Sequence, residues 1–254
     1  MPLLIRLFTG RPATVGVLTV ALAACAGYGG GRTPASEAHR PETTDQPGSP
    51  SALAAPRFLA LGDSYTIGES VPEYERWPVQ LAAMLREGGV AVEAPRIIAR
   101  TGWTTDELEA ALDSASPVGP YELVSLLIGV NNQYRGRDAA EYRREFDRLL
   151  QRAIGYAGGR ASRVVVLSIP DWGVMPFAEG RERGRIAAEI DTFNAINREL
   201  AAGAGARWVD VTGVSREAAR DPSLVAGDRL HPSGAQYARW ARLALPEAMR
   251  AFGR

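Results

Sequence analysis

Lysine is missing from this chain. All 29 basic residues are Arg, balanced by 29 acidic ones, so the formal net charge is zero. Zero net charge removes the global electrostatic case for a nucleic-acid partner. A single cysteine, Cys25, excludes an intramolecular disulfide. Only two histidines are present, His39 and His231, which leaves few candidates for any histidine-dependent step. Asp228 precedes His231 by three positions, but that pair without a cysteine partner offers too few ligands for zinc, and no metal is expected. Neither a phosphate loop nor a dinucleotide fingerprint occurs, so no cofactor is implied. No internal repeat is visible.

The 254 residues divide by composition into three stretches. Met1–Ala24 has basic Arg6 and Arg11 followed by an uncharged, mostly apolar run from Ala13. That run is shorter than the roughly 20 residues of a membrane span and fits a signal peptide. It ends in Leu22-Ala23-Ala24-Cys25, which resembles the lipobox of bacterial lipoproteins. The resemblance implies cleavage before Cys25, lipidation of its thiol and a lipid-anchored, extracytoplasmic location in the cell envelope. Ala26 is compatible with outer-membrane sorting, or a periplasmic face, in a Gram-negative host. From Cys25 to Ala55, Gly, Pro, Ser, Thr and charge dominate without an apolar period, as in a flexible tether, and His39 lies within it. Residues 56–254 read as one folded domain.

Within that domain apolar strand-like runs alternate with helical periods. Strands are expected at Phe58–Leu61, 90–99 with Pro95 near its middle, 121–128, 163–169 and 207–211. Helices are expected at 77–86, 104–112, 138–157, 184–202 and 233–252, the last broken at Pro246. Such alternation implies a parallel sheet of about five strands in a three-layer α/β/α sandwich.

In such a sheet the loops at the carboxyl strand ends share one edge, where ligands bind. Gly62-Asp63-Ser64 follows the first strand. Ser64 alone reads as a helix N-cap. The same edge would gather Gly102, the Gly129-Val130-Asn131 turn, and Asp228-Arg229-Leu230-His231. These four blocks, in this order, resemble the SGNH or GDSL family of serine esterases and lipases, and they span essentially the whole domain. One position departs from the family pattern: Asn132 stands where an Asp usually follows the Asn.

The resemblance implies a flavodoxin-like fold and a serine ester hydrolase. Ser64 would be the nucleophile, His231 the base and acid, and Asp228 the residue that orients His231. The backbone N–H groups of Ser64 and Gly102 and the Asn131 carboxamide would form the oxyanion hole. Asp63 is expected to support the turn, and Asp171 to serve a loop. Trp103, Tyr134 and Trp172 are candidate pocket-lining residues. An α/β-hydrolase would place its serine in G-x-S-x-G, which Gly62-Asp63-Ser64-Tyr65-Thr66 lacks. The expected partners are a small-molecule or lipid ester and, through Cys25, a membrane; the protein is expected to be monomeric. Lysophospholipids, acetylated envelope polysaccharide and transfer to an acceptor alcohol fit the same machinery. So does a non-catalytic, lipid-anchored binding protein.

Overall fold

The computed structural model describes residues 55–254. The expected signal peptide, Cys25, His39 and all but the last residue of the tether lie outside the described residues.

The chain enters the domain in β1 (Phe58–Asp63), whose six residues are all buried. α1 (Ser64–Ile67) starts at once and stops at Gly68. α2 (Trp77–Glu87) buries Trp77, Leu81 and Leu85, a helical spacing, with Pro78 in its first turn where no N–H is needed. β2 (Arg96–Arg100) follows, then α3 (Thr105–Ala115). α3 opens on a capping box between Thr104 and Glu107. β3 (Leu123–Leu127) is buried throughout, and α4 (Val130–Tyr134) is a single short turn. α5 (Ala139–Tyr156), capped by Asp138, leads to β4 (Val164–Leu167). Two short 3₁₀ turns at Trp172–Val174 and Pro176–Ala178 precede α6 (Arg183–Ala204). β5 (Arg207–Val209), α7 (Thr212–Arg216) and α8 (Gly234–Ala251) complete the chain.

The described strands form one parallel sheet in the order β2-β1-β3-β4-β5. The chain first steps outward from β1 to β2, then doubles back past β1 to β3. Right-handed crossovers therefore send α2 over one face and α3, α5 and α6 over the other. α8 packs on α2, while α5 packs on α3 and α6, which completes the three layers. The reversal puts the topological switch point between β1 and β3, where a crevice opens at the carboxyl ends.

Two expectations differ from the structure. β2 begins at Arg96, not at residue 90, because Pro95 cannot donate to the ladder and so marks the strand's start. α8 runs through Pro246 unbroken. Its buried Tyr237, Trp240, Ala241, Ala244 and Ala248 line one face on both sides of the exposed proline, so packing outweighs the lost hydrogen bond.

Candidate active site

Ser64 is the first residue of α1 and is 4% exposed, set at the switch point by the turn after β1. The turn requires Gly62. A Cβ there would stand 2.2 Å from Thr66 Oγ1 and 2.4 Å from the Leu127 carbonyl of β3. Asp63, fully buried, caps α1: its Oδ1 accepts the Tyr65 N–H at 3.0 Å. Its Oδ2 has no hydrogen-bond partner, and burial pushes the carboxyl up to about 7 despite the bonds from the turn's backbone.

His231 and Asp228 lie in a loop pinned before α8. The Ala226 N–H donates to the His231 carbonyl at 2.8 Å, and Ser233 caps the helix. Asp228 Oδ1 accepts the backbone N–H groups of Leu230 and His231, each at 2.9 Å. Asp228 Oδ2 lies 2.5 Å from His231 Nδ1 and accepts the Ser70 hydroxyl at 2.6 Å. Burial by itself would raise the Asp228 carboxyl. The hydrogen bonds from Ser70, the His231 ring and the two amides outweigh it and hold the group far below the usual carboxylate range. A carboxylate only accepts, so the imidazole proton sits on Nδ1 and leaves Nε2 as an acceptor.

Gly129, in the turn after β3, has φ 128°, and a Cβ there would meet Tyr142 Cε2 at 2.6 Å. Its turn presents Asn131, whose Nδ2 donates to the Trp103 carbonyl at 2.9 Å. One of the two carboxamide N–H groups is used in this way, which fixes the plane of the other. Gly102 lies opposite at φ 86°, its carbonyl held by Arg135 at 2.6 Å. Among the described residues no group accepts from the Gly102 N–H.

Ser64, Gly102, Asn131 and His231 line a common cavity of about 200 Å³. Val130, Tyr134, Trp172, Phe177 and Leu230 give it an apolar wall. Tyr134 and Trp172 thus stand where the sequence suggested. Trp103 is not among the lining residues; its ring packs against the core. Asp171 holds the Trp172 turn by accepting from the Gly173 N–H and from Arg216.

The departure at Asn132 has a local explanation. Its Oδ1 accepts the Thr105 N–H at 3.1 Å and its Nδ2 donates to Thr105 Oγ1 at 2.6 Å. The Thr105 hydroxyl in turn donates to Glu145. An Asp at 132 would have no N–H for that hydroxyl, which would then stand between two carboxylates.

Side chains that sequence reasoning missed complete the surround. Ser70, Phe177 and Arg181 each act across long sequence separations, and no local motif marks them. With them the five loops close into a ring of hydrogen bonds. Glu69 accepts from Thr101, the Trp103 carbonyl from Asn131, and Gln133 from Trp172 Nε1 at 2.7 Å. The Phe177 N–H donates to the Arg229 carbonyl at 3.0 Å, and Asp228 returns to Ser70.

A parallel sheet with this crevice at its switch point is a doubly wound α/β/α framework. Solved structures share the fold. The crystal structure of TesA is 19% identical, with a TM-score of 0.60, over 77% of this chain and 99% of that one. A lipolytic G-D-S-L family protein from Veillonella parvula is 19% identical, with a TM-score of 0.58, over 79% of this chain and 100% of that one. Axe2, an acetylxylan esterase from Geobacillus stearothermophilus, is 20% identical, with a TM-score of 0.58, over 76% of this chain and 94% of that one. No curated protein sequence matches significantly. The family model for the GDSL-like lipases and acylhydrolases matches residues 60–239. The chain belongs to the GDSL-like Lipase/Acylhydrolase family and is a hydrolase acting on ester bonds.

Proposed function

We propose that the protein cleaves carboxylic esters of short acyl chains through an acyl-enzyme on Ser64. The observation that carries this reading is His231, paired with Asp228 behind it, in the same cavity wall as Ser64. Ser64 Oγ attacks the carbonyl as His231 Nε2 takes its proton. The tetrahedral oxyanion is met by the N–H groups of Ser64 and Gly102 and by the free N–H of Asn131. Collapse breaks the bond to the alcohol oxygen, which receives the proton from His231. Water then repeats the sequence and frees the acid. The wall of Val130, Tyr134, Trp172, Phe177 and Leu230 is apolar, as an acyl chain requires. A cavity of about 200 Å³ is smaller than the roughly 300–1,000 Å³ of pockets that take drug-sized ligands, which favours short chains.

The lipobox at Leu22–Cys25 supports a place outside the cytoplasm, on a membrane surface.

The test is hydrolysis of p-nitrophenyl butyrate with labelling by a serine-directed fluorophosphonate. The wild type is expected to turn over and label, and Ser64→Ala to do neither. Equal rates in the two proteins would end the proposal.

A further inference from the structure

We infer that Arg181 anchors an anionic group of the substrate, so that the preferred esters carry a phosphate or carboxylate reaching the rim of the cavity at Tyr134, Trp172 and Phe177. This rests on the esterase reading above and extends it to substrate class.

Arg181 lies between the second 3₁₀ turn and α6, its N–H bonded to the Ala178 carbonyl at 3.1 Å. Its guanidinium lies over three rings at once: Tyr134 at 5.3 Å, Trp172 at 5.3 Å and Phe177 at 5.5 Å from the centroids. Those three rings line the cavity that holds Ser64 and His231. Trp172 is the anchor of the three. Trp172 is buried and bonded to Gln133, while Tyr134 and Phe177 both pack edge-on to it. Cation–π attraction on three faces therefore holds the charge in place without neutralising it.

The carboxylates adjacent in sequence do not neutralise it either. Glu179 pairs with Arg229 at 3.6 Å and Glu182 with Arg185 at 3.9 Å. The hydrogen bond that Arg181 makes is a long contact of 3.4 Å to the Tyr134 hydroxyl. Among the described residues no acid pairs with it, and most of its five N–H donors have no protein acceptor. A planar fork of donors held beside an ester-hydrolysing cavity suits phosphate or carboxylate oxygens.

The test compares kcat/KM for 1-butyrylglycerol 3-phosphate, O-butyrylglycolate and neutral 1-butyrylglycerol, in wild type, Arg181→Gln and Arg181→Lys. Wild type is expected to prefer at least one anionic ester over the neutral one by about threefold to fivefold, as for a charge-assisted contact at an exposed site. Which anion wins identifies the ligand as phosphate or carboxylate. Arg181→Gln is expected to bring the preference near unity, chiefly through KM. Arg181→Lys keeps the charge without the fork and should fall between. Raising salt should shrink the wild-type preference. Equal use of all three esters by wild type, or an unchanged preference in Arg181→Gln, overturns the inference. Ser64→Ala run on the same three esters separates the two readings: loss of all turnover leaves the esterase reading standing whatever Arg181 does. Full turnover by Ser64→Ala removes both.

Discussion

Replacing Asp228 by Asn tests the site most sharply, because the geometry dictates which way the new amide must turn. Asp228 Oδ1 serves two backbone N–H groups, those of Leu230 and His231. An Asn side chain has one oxygen, and only that oxygen can accept both. Its NH₂ is then forced into the place of Oδ2, facing the Ser70 hydroxyl and His231 Nδ1. The hydroxyl can rotate to accept, but Nδ1 can accept only by giving up its proton. The imidazole proton moves to Nε2, and the ring can no longer take a proton from Ser64. The loss expected is about 10³–10⁴ in kcat, the range for removing the tautomer control of a catalytic triad, or about 4–5.5 kcal/mol of barrier. The loop itself stays clamped, because both backbone bonds to the side-chain oxygen survive. Thermal unfolding of Asp228→Asn should therefore stay near wild type, whereas Asp228→Ala, which removes the clamp as well, should melt lower. The assay is kcat on p-nitrophenyl butyrate, beside a melting curve for each variant. An Asp228→Asn enzyme that keeps a tenth of the wild-type kcat would refute the reasoning.

Two further predictions concern stability. Asp63 is fully buried with its pKa raised from 3.8 to about 7, so between those values the folded state holds a proton that the unfolded chain releases. Its contribution is whole below pH 4 and lost as pH rises to 7, by about 4 kcal/mol at most. Urea unfolding should show wild type losing stability relative to Asp63→Asn across that window, and parallel curves would contradict the burial argument. Gly129→Ala combines a strained φ, about 1–3 kcal/mol, with overpacking against Tyr142 and Ile169, about 1–3 kcal/mol. At about 2–4 °C per kcal/mol its Tm should fall by roughly 5–20 °C. Gly155→Ala in α5, where a Cβ meets nothing within 4 Å, should rise slightly instead.

How far the sequence could be read follows from how each feature is encoded. β1, β3 and β4 stand out because both faces are covered, which leaves continuous apolar runs such as Val164–Leu167. The four site blocks are legible because each is a short local pattern whose order in the chain matches the strand ends. Ser70 is not, since its hydrogen bond to Asp228 spans 158 residues and a lone serine carries no pattern. Phe177 and Arg181 escape for a related reason: after β4 one lies in a 3₁₀ turn and the other in the loop that follows it, with neither a helical nor a strand period. Trp103 misled because its position beside Gly102 suggested the cavity, whereas its carbonyl, not its ring, faces Asn131. Pro246 misled because a local rule was outweighed by the packed face of α8.

The ring of five loops has a topological consequence. A linear chain of links falls into two pieces at any single break, but a closed cycle does not. With one contact cut, for example Ser70 to Asp228, the loops remain joined the long way round through Thr101, Asn131, Trp172 and Phe177. A second cut releases the arc between the two breaks. Fault tolerance of this kind makes paired substitutions worse than the sum of their parts. It would let Ser64, His231 and the intervening wall acquire changes one at a time while staying mutually aligned.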